Sequence, residues 1–185
     1  MGTERNPLFL KFDMAWRRLL RDEAFRSRVE FLKKLFLFDG LPERAVTLLA
    51  GKIMEKAYLA GETIFQEGDV GRACFIVAEG RVEVLKIEES SAREEVLAVM
   101  EPGDFFGEMT LLDELPRSAT ARAAEPSRLY ILYKSHLDDL SDGSPRVAAR
   151  LLRNLARLLS ARLRRQNLRS AVDSTLKEPS PPRAR

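Results

Sequence analysis

The spacing of apolar residues changes along the chain and predicts helices at both ends with strands between them. Over residues 7–38 apolar side chains recur close to the helical period, which predicts an amphipathic helix, and residues 43–55 predict a second, shorter helix. Over residues 58–133 short apolar runs alternate with turn residues. Most intervals between these turns are near the roughly 8–12 residues that are typical of β-sandwiches and barrels. Residues 137–176 return to the helical period, with Ser144 and Pro145 as a helix start.

The apolar runs in the middle of the chain predict an antiparallel β jelly roll of about eight strands. Strands are expected near residues 63–65, 73–77, 82–84, 95–99 and 129–132. The glycines between them are expected to occupy tight turns with positive φ, and these are Gly61, Gly68, Gly80 and Gly103. The predicted division is an N-terminal helical segment (1–40), a jelly-roll core (41–135), a C-terminal lid or dimer helix (136–176) and a proline-rich disordered tail (177–185). The fold class is therefore mainly β with flanking helices.

Composition excludes several kinds of protein. No apolar run in the 185 residues approaches the ~20 residues that span a bilayer, and the charged N-terminus does not fit a secretory signal. Cys74 is the single cysteine, which excludes an internal disulfide and fits a reducing, cytoplasmic compartment. Because His136 is the single histidine, neither a cupin-type metal centre nor a histidine-assisted nucleophile is expected, and we expect no enzyme.

Positive charge is concentrated in the predicted C-terminal helix. Between residues 146 and 169 there are eight arginines and no acid, so the rest of a chain with net charge +3 carries −5. Leucines between residues 151 and 163 form an apolar stripe on the same helix. We expect these arginines to meet an acidic partner or the acidic barrel of a second copy, with residues 151–176 paired in a homodimer. Nonspecific contact with nucleic acid is the alternative, although the helix has no recognition motif.

The stretch from Phe105 to Ala123 has the chemistry of a small cradle for an anion and a sugar. Gly107 has no side chain, so a ligand can approach the backbone there. A short helical turn from Met109 would direct free N–H groups towards a bound anion. Arg117 offers a planar fork for two phosphate oxygens, and Glu108 is an acceptor suited to hydroxyl groups.

The string Phe-Gly-Glu, a short apolar turn and then Pro-Arg-Ser-Ala-Thr resembles the phosphate-binding cassette of the cyclic nucleotide-binding domains. That family includes the catabolite activator protein, the regulatory subunits of protein kinase A and the cyclic-nucleotide-gated channels. The stretches Gly61–Asp69 and Phe75–Val82 resemble strand-and-turn signatures of the same family. The resemblance covers roughly residues 35–167 and implies the jelly-roll fold.

The resemblance implies a role for each cassette residue. Arg117 would pair with the exocyclic oxygens of a cyclic phosphate, with Ser118 and the N–H of Ala119 on the same oxygens. Glu108 would accept from the ribose 2′-hydroxyl beside the Gly107 backbone, and an adjacent Arg117 would keep the empty carboxylate ionised. The turn residues Met109 and Thr110 complete the cassette.

The base contacts implied by the resemblance lie outside the cassette. Val84 and Leu97 would line the barrel wall beside the base, although both also fit a plain core role. Arg162 of the C-terminal helix would stack on the base or donate to it. The catabolite activator protein has a threonine at this position, so the sequence departs from its relative there.

The resemblance implies a regulatory module that senses cAMP and signals by moving its C-terminal helix. Ser118 favours cAMP over cGMP, because cGMP-selective members tend to carry threonine, and other cyclic nucleotides or a cyclic dinucleotide stay open. No cofactor is expected. The alternative is a catabolite-activator-type transcription regulator, which needs a helix-turn-helix domain after the long helix. Only about ten residues follow that helix here, so we expect a stand-alone module or a fragment.

Overall fold

The computed structural model describes residues 22–88, 93–113 and 115–176, with side chains other than those of residues 88 and 169–176. Helices stand at both ends of this part of the chain. They are α1 (22–33), α2 (Glu43–Lys52), α3 (Lys134–Gly143) and α4 (Pro145–Leu176), with short 3₁₀ turns at Phe36–Phe38 and Glu108–Leu111.

Among the described residues, eight strands lie between α2 and α3 and form two four-stranded sheets. They are β1 (Met54–Tyr58), β2 (Thr63–Phe65), β3 (Ala73–Glu79), β4 (Val82–Glu88), β5 (Arg93–Met100), β6 (Phe105–Phe106), β7 (Thr120–Ala123) and β8 (Ser127–Tyr133). The first sheet has the order β1-β8-β3-β6 and the second β2-β7-β4-β5, and every pairing between described strands is antiparallel. The predicted antiparallel jelly roll with flanking helices is confirmed.

The two faces of β3 show how the sheets and the helices share one strand. Cys74 and Ile76 point to the core that the first sheet forms with the helices. Phe75 and Val77 point to the second core, between the two sheets. Because side chains alternate across a strand, a run that is apolar on both faces is expected where a sheet is covered on both sides.

The predicted glycine turns are confirmed by backbone geometry. Gly61, Gly68, Gly80 and Gly103 all have φ between 81° and 95°. At Gly80 a Cβ atom would also lie 2.5 Å from the carbonyl oxygen of Pro126. Any side chain at position 80 would therefore combine a left-handed backbone with a clash against main chain.

Two predicted helix ends are wrong, and the predicted helical segment 136–176 is divided into two helices. α1 ends at residue 33 rather than 38, because residues 36–38 tighten into a 3₁₀ turn that buries Phe38. α2 ends at Lys52 rather than 55, because residues 54–58 pair with β8 as a strand. The C-terminal segment is two helices, since Ser144 adopts an extended φ of −151° between α3 and α4. The start of α4 at Pro145 is as predicted. The predicted helical residues 7–21 and the predicted tail lie outside the described residues.

The first half of α4 is fastened to the turn that follows α1. Asn154 is buried, and its amide nitrogen donates to the carbonyl oxygens of Leu37 at 3.0 Å and Asp39 at 2.9 Å. Leu151 and Leu155, on either side of Asn154, lie in the core between helices and sheet. These contacts hold the first half of α4 against the core that the first sheet forms with the helices.

Candidate ligand-binding site

A pocket of about 230 Å³ opens where the Glu108–Leu111 turn meets the second sheet and α4. We call it the cassette pocket. It is lined by Phe65, Val84, Met100, Phe106, Gly107, Glu108, Met109, Thr110, Asp113, Leu115, Pro116, Arg117, Ser118, Ala119 and Arg162.

The entry to the turn depends on Gly107. This residue has a φ of 66°, in the left-handed region, and directly precedes the 3₁₀ turn that starts at Glu108. A Cβ atom here would lie 2.4 Å from Nη1 of Arg117. Glycine is therefore required both by the backbone conformation and by the close approach of the guanidinium.

Arg117 is held beneath the pocket by its backbone and by its side chain. Its N–H donates to the carbonyl oxygen of Asp69 at 2.9 Å, which ties the cassette to the loop before β3. Nη2 donates to the carbonyl oxygen of Ala73 at 2.7 Å, and Nη1 donates to that of Gly107 at 2.9 Å. Nη1 also donates to the Thr110 hydroxyl at 3.2 Å.

Arg117 forms no ion pair with any residue that the structure describes. The residue is 6% exposed, and the negative charges of Asp69 and Glu108 act on it only at longer range. Its Nε atom is buried and has no hydrogen-bond partner among the described residues. The Arg117 guanidinium lies 4.1 Å from the ring centroid of Phe65. Burial of Arg117 lowers the pKa of its guanidinium from the ordinary arginine value. A buried cation in this condition is a site for an anion.

Glu108 is paired with the C-terminal helix. Its carboxylate oxygen Oε1 lies 2.5 Å from Nη1 of Arg162, and its side chain is 7% exposed. Nη2 of Arg162 donates to the carbonyl oxygen of Phe105. The described ion pair of Glu108 therefore comes from α4, while the charge of Arg117 interacts with this carboxylate at longer range.

Most of the site residues predicted from the sequence line one pocket. Gly107, Glu108, Met109, Thr110, Arg117, Ser118, Ala119, Val84 and Arg162 all do so. Leu97 does not: it lies on the edge strand β5, with 42% of its surface exposed.

The lining residues that the sequence reading missed are mainly apolar. Phe65, Met100 and Phe106 form part of the wall, and Asp113, Leu115 and Pro116 complete the lining. Phe65 lies within Gly61–Asp69, a stretch that resembles a strand-and-turn signature of the family. Its contact with the Arg117 guanidinium, however, depends on how β2 and β3 pack together. The pairing of β6 with β3 likewise sets the position of Phe106.

Cys74 lies behind the pocket and is unsuited to nucleophilic chemistry. It is fully buried, and burial raises the pKa of its thiol to about 12, with the negative charge of Glu108 as a second cause. In the described ranges there is no cluster of three or more histidine, cysteine or acidic residues arranged to hold a metal. No described helix has the length and apolarity needed to cross a membrane.

The fold and the pocket define a ligand-binding jelly roll whose site offers a buried cation and a buried carboxylate. Residues 55–144 match the family described as the cyclic nucleotide-binding domain. The chain belongs to this family.

Similar proteins are bacterial regulators and kinase regulatory subunits. A cyclic AMP receptor protein of Thermus thermophilus is 39% identical over 132 residues, which cover 71% of this chain and 59% of that protein. The chain thus matches little more than half the length of this relative. A cAMP-dependent protein kinase regulatory subunit of Blastocladiella emersonii is 32% identical over 126 residues, covering 66% of this chain and 31% of that protein.

Solved structures with the same fold include two bacterial regulators. The catabolite activator protein of Thermus thermophilus superposes with a TM-score of 0.65 at 37% identity, covering 75% of this chain and 63% of that one. The N-terminal domain of a transcriptional regulator from Streptomyces coelicolor superposes with a TM-score of 0.64 at 34% identity, covering 74% of this chain and 92% of that one.

Proposed function

We propose that this chain is a regulatory module that senses a cyclic nucleotide, with cAMP as the ligand. One observation carries the proposal: Arg117 is buried beside the cassette pocket without an ion pair to any described carboxylate, and its Nε atom has no hydrogen-bond partner among the described residues. A cyclic phosphate would supply the missing negative charge. The similarity to a cyclic AMP receptor protein and to a cAMP-dependent protein kinase regulatory subunit supports this choice of ligand.

The ligand would bind with its phosphate over Arg117 and its ribose over Glu108. Ser118 and the N–H of Ala119 would share the phosphate oxygens with Arg117, and the carboxylate would accept from the 2′-hydroxyl beside Gly107. The base would lie against the barrel wall near Val84, on the side of the cassette pocket that Arg162 of α4 lines in the empty site. Ser118, rather than threonine, is the feature that favours adenine.

Thr110 has a supporting role in this arrangement, and Met109 a peripheral one. The Thr110 hydroxyl donates to the carbonyl oxygen of Gly107 at 2.9 Å and accepts from Arg117. It therefore orients the guanidinium from below the pocket. Met109 is 50% exposed at the rim, where it would cover one side of the bound ligand.

The output would be a change in the position of α4, with no catalytic step. α4 contributes Arg162 to the pocket, and this supports a coupling between occupation of the pocket and the placement of the helix. A ligand shifts such an equilibrium only through a difference in affinity for the two positions. A reducing compartment such as the cytoplasm suits the unoxidised buried thiol of Cys74.

We also propose that α4 pairs with α4 of a second copy. Residues at alternating spacings of three and four form one seam on the helix: Ala149, Leu152, Ala156, Leu159 and Leu163. Leu163 is 59% exposed, and Leu152 and Leu159 are only partly buried in a single chain. Such a spacing is the pattern of a two-stranded coiled coil.

The arginines that flank this seam suit an acidic effector or the acidic barrel of the second copy. A transcription regulator of the catabolite activator type is the second candidate function. The similarity to transcriptional regulators favours it, including the Streptomyces coelicolor regulator whose N-terminal domain superposes on this chain.

Calorimetry with cAMP, cGMP and cyclic di-GMP tests the ligand proposal. Arg117→Ala should weaken cAMP binding by roughly 30-fold or more, since truncating a buried charge contact costs ~2–5 kcal/mol. Arg117→Lys should keep the charge but lose the two-pronged contact, so it should bind with intermediate affinity. Arg81→Ala is the matched control, because Arg81 is half-exposed and pairs with Glu125 outside the cassette pocket. Equal affinity of the native chain and Arg117→Ala would contradict the proposal.

Light scattering tests the pairing of α4. Leu163→Asp places a carboxylate in the seam and should reduce the measured mass from two chains to one. Leu168→Asp is the control, since Leu168 is similarly exposed, at 67%, but stands outside the seam. A native mass of a single chain at micromolar concentration would exclude the dimer.

A further inference from the structure

Arg162 forms an ion pair with the carboxylate of Glu108, which a bound ribose would need as a hydrogen-bond acceptor. One guanidinium nitrogen lies 2.5 Å from Oε1 of Glu108, and the other donates to the carbonyl oxygen of Phe105. Glu108 is almost fully buried, whereas 32% of the Arg162 side chain is exposed. The arginine on the helix is therefore the partner that solvent reaches more easily.

The size of the cassette pocket points in the same direction. Its volume of about 230 Å³ lies below the roughly 300–1,000 Å³ of typical small-molecule sites. Arg162 is the part of the lining that comes from α4, while every other lining residue belongs to the jelly roll. Withdrawing this one side chain would enlarge the pocket at its mouth and free an oxygen of Glu108.

The same ion pair is a second attachment point for α4. Asn154 fastens the helix to the turn after α1, and Arg162 fastens it eight residues later, about 12 Å along the axis. The two attachments differ in kind. Asn154 bonds to backbone carbonyls away from the cassette pocket, whereas Arg162 bonds to groups in it or at its edge.

We propose that Arg162 is a gating residue that competes with the ligand for Glu108. In the empty site it holds the carboxylate and the distal part of α4 together. A ribose hydroxyl that takes over the carboxylate displaces Arg162, so ligand binding and release of this attachment are one event. The inference rests on the proposed function for its ligand, but the attachment of α4 exists without any ligand.

The choice of Arg162 among the arginines of α4 follows from helix geometry. Residue 162 stands seven positions after Leu155, on the side of the helix that faces the jelly roll. Arg157 and Arg164 are exposed, and Arg164 donates to the Ser160 hydroxyl of its own helix at 2.9 Å. Arg157→Ala therefore removes the same charge from the same helix without touching the cassette pocket.

Hydrogen exchange in the absence of ligand tests the attachment. Arg162→Ala should raise amide exchange over residues 158–168 relative to the native chain, and Arg157→Ala should not. Glu108→Gln should raise exchange over the same residues, because it removes the charge that holds Arg162. Exchange that is the same in the native chain and in Arg162→Ala would overturn the inference.

Calorimetry with cAMP tests the competition. Arg162→Ala should bind roughly tenfold more tightly than the native chain, because no ion pair has to be broken first, while Arg157→Ala should bind like the native chain. Unchanged or weaker binding by Arg162→Ala would overturn the inference, and weaker binding would make the residue a contact to the base. If no variant binds a cyclic nucleotide, the proposed function and the competition both fail. Hydrogen exchange then still decides whether Arg162 fastens α4.

Discussion

Replacing Asn154 by alanine should destabilise the protein by about 2–4 kcal/mol. The amide makes two hydrogen bonds, to the carbonyl oxygens of Leu37 and Asp39, each worth roughly 0.5–1.5 kcal/mol net. Asn154 is 2% exposed, so alanine also leaves the buried Leu37 carbonyl without this donor, at a desolvation cost of roughly 1–3 kcal/mol. Part of that cost overlaps with the lost bond, which gives the stated range.

Urea unfolding followed by circular dichroism measures this change as a shift of midpoint at constant slope. For a chain of this size the same loss corresponds to a fall in Tm of roughly 4–16 °C. The control is Arg153→Ala, which alters the adjacent, exposed position of α4 and should stay within ~0.5 kcal/mol of the native chain. A loss below about 0.5 kcal/mol for Asn154→Ala would refute the view that this side chain anchors the helix.

Two further predictions concern Gly71 and Cys74, which lie close to Arg117. A Cβ atom at Gly71 would lie 2.8 Å from Cζ of Arg117, so Gly71→Ala should displace the guanidinium. Calorimetry should then show cAMP binding that is roughly tenfold weaker than in the native chain. Gly143→Ala is the control and should bind normally, because a Cβ atom there meets no described atom within 4 Å. Burial raises the pKa of Cys74 to about 12, against about 8.5 in the unfolded chain. The stability due to its protonated thiol is complete below pH ~8.5 and lost towards pH 12, at up to about 1.4 kcal/mol per pH unit. The free energy of unfolding should therefore fall more steeply above pH ~8.5 in the native chain than in Cys74→Ala. If urea unfolding gave the same pH dependence of this free energy for both proteins, the prediction would be contradicted.

The strands that the sequence predicted are those whose local pattern agrees with their tertiary environment. β3 is apolar throughout because both of its faces are covered, and its flanking turns are marked by glycine. β1 escaped prediction because four of its five residues are exposed, and its pairing with β8 alone makes it a strand. A two-residue strand such as β6 has no period to detect, so its existence depends on β3.

Leu97, which the family resemblance placed at the barrel wall, lies at an irregularity of β5. The register between β4 and β5 shifts between Val84 and Leu85: Val84 pairs with Ala98, but Leu85 pairs with Val96. An irregularity of this kind changes which side chains face the barrel interior, and nothing in the local sequence indicates it.

The cassette was predictable because its residues are close in sequence, whereas the ion pair between Glu108 and Arg162 joins residues 54 positions apart.

The location of the chain's one cysteine has a practical consequence for observing α4. Because the Cys74 side chain is sealed within the core, thiol-reactive dyes and spin labels will find no native target while the fold is intact. A cysteine introduced at an exposed position such as Arg157 would thus be labelled selectively in the otherwise native chain. Distances from that label to a second one on the barrel would report the helix's travel directly, with no background to subtract.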